Sequence, residues 1–360
     1  MSDSKIDQLL KLAAEKGASD LHLVVGKAPI LRINGILKEI PGEKILTKEI
    51  AEDLILSILN DEQREKFFKT KELDISYDIE KTRFRVNCHF GEATMALAAR
   101  VIPSEVPAMK EIGLGETIYK ITKLKKGFIL VTGPTGCGKS TSLAAMINQI
   151  NIERPCHIIT IEDPIEFNYK HQKSIVLQRE LGRDTLSFKS ALKHVVRQDP
   201  NVILVGEMRD LETIAAAVTL AETGHLVFAT LHTPNACQSI DRIVDVFPPY
   251  QQQQIRLQLA NTLRAIIAQI LLPLIKPNPF STKPALQGRI AAREILINNP
   301  AISNLIRENQ IAQIPSIIQT SRDEGMITMD QSIKELYRQG YIDENTARSR
   351  MQDPELLKYL

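Results

Sequence analysis

An α/β fold in two parts is predicted for this chain of 360 residues: a small α+β domain over 1–100, a connecting stretch over 101–116, a parallel-sheet core over 117–292 and a helical end over 293–360. Three observations predict it. Strand-like apolar runs at 127–132, 157–161, 202–205 and 226–230 alternate with helical stretches, the pattern of a parallel sheet covered by helices. The first of those runs leads through a glycine-rich turn into a helix. The first hundred residues mix helix and hairpin signals and lack any such turn.

Each element has its local reason. Ser4 with Asp7 makes a capping box, and Ile6, Leu9, Leu10 and Ala13 form the apolar stripe of a short helix that Gly17 closes. Residues 20–25 follow as a strand. Two strand-like runs, 30–33 and 36–40, flank Asn34-Gly35, the strongest short hairpin signal. Over 83–89, apolar Phe84, Val86 and Cys88 alternate with polar Arg83, Arg85, Asn87 and His89, which makes a half-exposed strand. Pro103 and Pro107 give the connecting stretch its linker character, because proline restricts the chain to extended shapes. Further on, Asp210 caps a helix over 211–223 that ends at Gly224. Ile302, Leu305 and Ile306, then Ile333, Leu336 and Tyr337, mark the apolar faces of the last helices.

The turn after 127–132 reads Gly133-Pro134-Thr135-Gly136-Cys137-Gly138-Lys139-Ser140-Thr141 and matches the phosphate-loop pattern in full. A strand, a glycine-rich turn and a helix N-terminus set successive backbone N–H groups around an anion, and the helix dipole adds to the attraction. Lys139 would reach the β- and γ-phosphates of ATP, and the Ser140 hydroxyl would ligate Mg²⁺. A glycine-rich turn that binds nothing is the bland alternative; strand, loop, lysine and serine together weigh against it.

Whole-chain properties exclude other classes. A formal net charge of +2 gives no bulk electrostatic case for nucleic acid. The longest apolar stretch, 265–275, is interrupted by Gln269 and broken by Pro273, far short of a membrane span. The amino terminus lacks a signal-peptide layout. Cys88, Cys137, Cys156 and Cys237 are scattered, against both a zinc site and a disulfide framework, so a cytoplasmic chain is expected.

Acidic and histidine residues gather at strand ends, where open parallel sheets bind ligands. The run 202–205 passes into Gly206-Glu207, a Walker B shape with glycine where a metal-binding aspartate usually stands. Glu207 is the candidate for positioning or deprotonating the attacking water, and Mg²⁺ would lean on Ser140 and on waters held by carboxylates. The run 158–161 leads into Glu162-Asp163-Pro164-Ile165-Glu166, a second acidic cluster. Either cluster alone is a solvated strand terminus; two of them after a phosphate loop favour a site. His225 and His232 bracket the strand 226–230, where they would sense the γ-phosphate or a neighbouring subunit.

These residues carry a resemblance. Gly17-Ala18-Ser19-Asp20-Leu21-His22-Leu23 is similar to the amino-terminal hallmark of the type II/IV secretion ATPases. The segment 161–167 resembles their Asp box, 199–210 their atypical Walker B, and 223–233 their His box. Segments 240–248 and 301–308 resemble more narrowly the branch that retracts type IV pili, with Ser303 departing from its arginine. The extension branch typically adds an amino-terminal domain and a tetracysteine zinc site, which favours retraction for a chain that starts near the hallmark and has no cysteine pair.

The resemblance implies a PAS-like first domain, a RecA-like ATPase domain and a homohexameric motor, peripheral at the cytoplasmic face of the inner membrane. Such a motor would act through a membrane platform protein to retract the pilus and drive twitching motility. It also implies that Arg83 and Arg100, with Arg85 between them, act on a neighbour's nucleotide; Ala93 stands where the family has a further arginine. A pilus-assembly or type II secretion ATPase is the alternative within the family. A RecA-like nucleic-acid motor is weakened by near-neutral charge and 5% aromatic residues, and a non-motor nucleotide-gated scaffold would lack turnover.

Overall fold

The computed structural model describes residues 4–33, 36–80, 82–102, 105–283, 286 and 288–359. The chain divides into two compact units, Met1–Glu105 with Glu166–Asn168, and Val106–Ile165 with Tyr169–Leu360.

The first unit is built on an antiparallel sheet of six strands: β1 (Asp20–Leu23), β2 (Ile30–Ile33), β3 (Ile36–Glu39), β4 (Glu72–Ile79), β5 (Thr82–Gly91) and β6 (Thr94–Ile102), ordered β3-β2-β1-β6-β5-β4. The predicted first helix forms as Lys5–Glu15, with the Ser4–Asp7 capping box in place and Ile6, Leu9, Leu10 and Ala13 buried. β2 and β3 pair antiparallel from Ile33 opposite Ile36, while the Asn34-Gly35 turn itself lies outside the described residues. In β5 the predicted alternation holds: Phe84, Val86 and Cys88 are fully buried, among the side chains of the helices Lys5–Glu15, Lys48–Ser57 and Asp61–Thr70. The Cys88 thiol is pushed up to about 12 by that burial, so it is an inert core residue.

The second unit holds seven strands: β7 (Gly127–Thr132), β8 (His157–Glu162), β9 (Ile175–Glu180), β10 (Val202–Val205), β11 (Leu226–Leu231), β12 (Leu263–Pro273) and β13 (Arg289–Ile297), ordered β13-β12-β7-β11-β10-β8-β9. All neighbours are parallel except β12 and β13. β7, β10 and β11 are buried along their whole length, as their unbroken apolar runs require when helices cover both faces. β11 lies between β7 and β10, so the residues just past its end come to lie between the phosphate loop and Glu207. The apolar stretch that Gln269 interrupts is β12, and it extends past the end of β7.

The predicted boundary at 292/293 falls inside β13. Ile290, Ala292 and Leu296 are buried along that strand, and the helical end starts only at Pro300. Its last helices, Met329–Arg338 and Glu344–Arg350, pack Ile333, Leu336 and Ala347 on Leu272, Ile290 and Ala292 of the β12–β13 hairpin. The connecting stretch is not plain extended chain. β6 runs to Ile102, and a 3₁₀ turn, Met109–Ile112, ends at Gly113 with φ +65°. Pro103 and Ser104 lie outside the described residues.

Phe84→Ala should remove a fully buried ring from the first unit and cost about 3–5 kcal/mol. A melt within about 1 kcal/mol of wild type would show that this core repacks freely.

Candidate active site

The phosphate loop is shaped by what presses on it. Gly133 has φ +139°, and a β-carbon there would lie 2.3 Å from the Gln269 backbone oxygen, so only glycine lets β12 pass. Gly138, at φ +86°, caps the helix Lys139–Glu153, whose N-terminus faces the loop. Lys139 Nζ donates to the Gly133 and Pro134 carbonyls at 2.8 and 3.1 Å, which curls the cation over the cradle. Ser140 and Thr141 occupy the first helical turn and are partly exposed, while Cys137 is buried with its thiol raised by burial.

Glu207, two residues beyond β10, meets this loop through His232, the residue after β11. Glu207 Oε1 lies 3.3 Å from His232 Nε2. His232 Nδ1 lies 3.4 Å from Thr135 Oγ1 and 3.5 Å from Lys139 Nζ. An ammonium can only donate, so Lys139 can bond this ring only in the tautomer with Nδ1 as acceptor and the imidazole hydrogen on Nε2, facing the carboxylate. The other Glu207 oxygen accepts from Arg209 Nη2 at 2.8 Å. That bond holds the Glu207 carboxyl below the usual range against the opposing effect of burial, with His232 and Lys139 adding to it.

Glu162 ends β8 and is buried, accepting from Thr160 Oγ1 at 2.6 Å and Gln178 Nε2 at 3.3 Å. Gly206, which stands where a Walker B aspartate is usual, sits in a tight place. A β-carbon on Gly206 would lie 3.1 Å from the Ile161 oxygen and 3.2 Å from Glu162 Cα, while Gly206 N donates to that same oxygen at 2.8 Å. A side chain at 206 would press on the end of β8, which would have to give by a few tenths of an ångström.

Lys139, Thr135, Glu207 and His232 are therefore brought together. The predicted histidine pair is not. β11 runs parallel to β7, so His225 sits at the end of the sheet opposite the phosphate loop, with Nδ1 2.9 Å from the Leu220 carbonyl oxygen. Strand direction sets His225 away from the γ-phosphate, which leaves the neighbouring subunit as the alternative for that residue. In the first unit Arg83 Nε donates to Asp78 at 2.8 Å and Arg100 Nε to Asp20 at 2.9 Å. Sequence reasoning missed three participants: Arg209, Gln269 and Arg293. Gln269 had a signal, since a lone amide inside an apolar strand must satisfy its hydrogen bonds somewhere.

A phosphate loop, an adjacent carboxylate and a histidine between them on a parallel sheet define a phosphate-loop nucleotide hydrolase. The chain belongs to the family described as "Type II/IV secretion system protein", whose model matches residues 3–349. It is 46% identical to the Pseudomonas aeruginosa "Type IV pilus retractation ATPase PilT", over 97% of this chain and 99% of that one. It is 47% identical to a Neisseria gonorrhoeae "Twitching motility protein", over 92% of this chain and 86% of that one. A crystal structure of the pilus retraction motor PilT with bound ADP superposes with a TM-score of 0.91 at 44% identity, covering 99% of this chain and 100% of that one. This chain is a nucleotide-binding ATPase.

Replacing Arg209 with alanine removes the bond that holds Glu207 low, so its pKa rises. If Glu207 must be ionised for turnover, the acid limb of the pH–rate profile moves to higher pH. An unmoved limb would assign that limb to another group.

Proposed function

We propose that this chain is the motor of type IV pilus retraction, hydrolysing ATP as a homohexamer to drive twitching motility. The observation that carries the reading is near-complete coverage at high identity. The match to the retraction ATPase spans 99% of that protein at 46% identity, against 62% of the P. aeruginosa "Type IV pilus assembly ATPase PilB" at 30% identity. The motor would act at the cytoplasmic face of the inner membrane through a platform protein. No helix among the described residues is long and apolar enough to cross a membrane, so attachment would rest on that partner.

In this reading the backbone N–H groups from Gly136 to Ser140 hold the β-phosphate and Lys139 swings from its loop carbonyls to the γ-phosphate. Glu207 takes or orients the water hydrogen, and His232 reports the γ-phosphate to Glu207, to which it is already bridged. Among the described residues no group of three histidine, cysteine or acidic side chains is placed to hold a metal, so Mg²⁺ fits only as an ion carried on the phosphates, with Ser140 as its hydroxyl ligand. When bound, it neutralises charge on the β- and γ-oxygens. Glu162 would position water near Glu207 from the neighbouring strand end. Arg83 and Arg100, on the separate first unit, would complete a neighbouring subunit's site. The first unit and the ATPase unit would thus be two functional domains that move against each other during turnover.

A strain lacking this chain should carry abundant surface pili and fail to twitch; bald cells would point to assembly instead. Lys139→Ala should not restore twitching, and Glu207→Gln should still bind ATP but hydrolyse it about 10²-fold or more slowly. Near-normal turnover of the amide variant moves the base elsewhere.

Mixing Arg100→Ala protein with Lys139→Ala protein tests catalysis between subunits. Each alone should be nearly inactive, since an arginine finger is worth about 10³-fold, and the mixture should regain activity. Wild-type turnover by Arg100→Ala alone removes it from the site.

A further inference from the structure

Arg293 is the least expected charge in the second unit. It lies on β13 directly opposite Gln269 of β12 and is only 8% exposed. Burying a guanidinium costs several kcal/mol unless its donors are satisfied. Backbone carbonyls and one amide satisfy them here. Nη2 donates to the Ile112 carbonyl at 2.8 Å and Nη1 to the Gly113 carbonyl at 3.0 Å, at the end of the 3₁₀ turn. Nε points at Gln269 Oε1, 3.4 Å away. Desolvation lowers its pKa to about 10, still protonated at neutral pH.

Gln269 passes the contact on. Its Oε1 also accepts from Ser142 Oγ at 2.8 Å, on the helix that follows the loop. Its Nε2 donates to the Cys137 carbonyl at 2.6 Å, inside the loop. Its backbone oxygen is the atom that leaves no room for a β-carbon on Gly133. One residue therefore grips the phosphate loop at its entrance, its centre and the helix after it. The Cys137 carbonyl matters because a peptide is rigid: turning that carbonyl inward toward Gln269 turns the next N–H, that of Gly138, outward to the cradle.

We infer that Gln269 is a positioning residue for the phosphate loop and that Arg293 holds it to the Ile112–Gly113 segment, so that the first residues of the ATPase unit set how well the loop binds phosphate. The inference rests on nucleotide binding at this loop. It assigns no contact with ATP to either residue; both act through the peptide between Cys137 and Gly138.

Gln269→Glu separates positioning from mere packing. A glutamate keeps the volume and sets its carboxylate beside the buried Arg293 guanidinium, so the variant should fold, with a cooperative melt as the check. It also loses the donor to Cys137 and faces that carbonyl with negative charge. The KM for ATP should rise about tenfold with kcat within about twofold, because the loop's grip is lost in ground and transition state alike. Arg293→Lys keeps the charge but cannot span two carbonyls and an amide, and should raise KM in the same direction. The double variant should be no worse than the poorer single one, since both break one chain of contacts. Gln269→Met serves if the glutamate variant does not fold. A folded Gln269 variant with wild-type KM, or losses that add in the double variant, overturns the inference. Wild-type protein that binds ATP no better than Lys139→Ala would overturn the nucleotide reading together with it.

Discussion

At two places the ATPase sheet brings backbone close against backbone, leaving no space for a β-carbon at the first and little at the second, and the site is assembled around those points. One is Gly133 under the Gln269 oxygen; the other is Gly206 against Ile161 and Glu162. Both are consequences of parallel strands ending at one edge of a twisted sheet, where neighbouring chain segments must turn in a confined space. The first contact fixes the entry to the phosphate loop. At the second, glycine stands in place of the usual metal-binding aspartate, and the next residue, Glu207, is the carboxylate that meets His232. Strand order supplies the rest: β11 between β7 and β10 delivers His232 between Lys139 and Glu207.

The electrostatics of this cluster bear on what Glu207 can do. A carboxylate held low by Arg209, His232 and Lys139 is a good hydrogen-bond acceptor and a weak base. Little covalent chemistry is needed from the protein in phosphoryl transfer, so orienting water is the larger demand. The Arg209 guanidinium is 72% exposed, and exposed ion pairs are worth only about 0–1 kcal/mol. Arg209 can therefore leave Glu207 cheaply, and its departure would strengthen the base just when a γ-phosphate draws Lys139 and His232 away.

Local signals made much of the fold legible. The capping box at Ser4, the alternation in β5, the uninterrupted apolar runs of β7, β10 and β11, and the Asp210 cap each depend on residues close in sequence, and each is realised. Failures came where the deciding fact is long-range. Two histidines that bracket one strand lie at its opposite ends, and only the pairing of that strand parallel to β7 decides that His232, not His225, meets the phosphate loop. Gln269 counts as an interruption in an apolar run, and Arg293 as the start of a helical end, until β12 and β13 pair and set the two side by side. Spacing along the chain carries no information about a partner 24 residues away on an antiparallel strand.

The arginines of the first unit show how burial discriminates between residues that the sequence treats alike. Arg83 and Arg100 each hold a carboxylate of their own unit, yet their side chains are 18% and 64% exposed. A guanidinium that must exchange a carboxylate for a neighbour's phosphate has to reach it and must leave no stranded charge behind. Arg100 meets both conditions better: it is the more open of the two, and its partner Asp20 keeps Arg32 at 3.9 Å when Arg100 departs. Arg83 is packed more tightly, and it pairs with Asp78 opposite it in register on the same hairpin. If fingers act from this sheet, exposure favours Arg100 as the more readily released, while Arg83 must first give up the pair that ties β4 to β5.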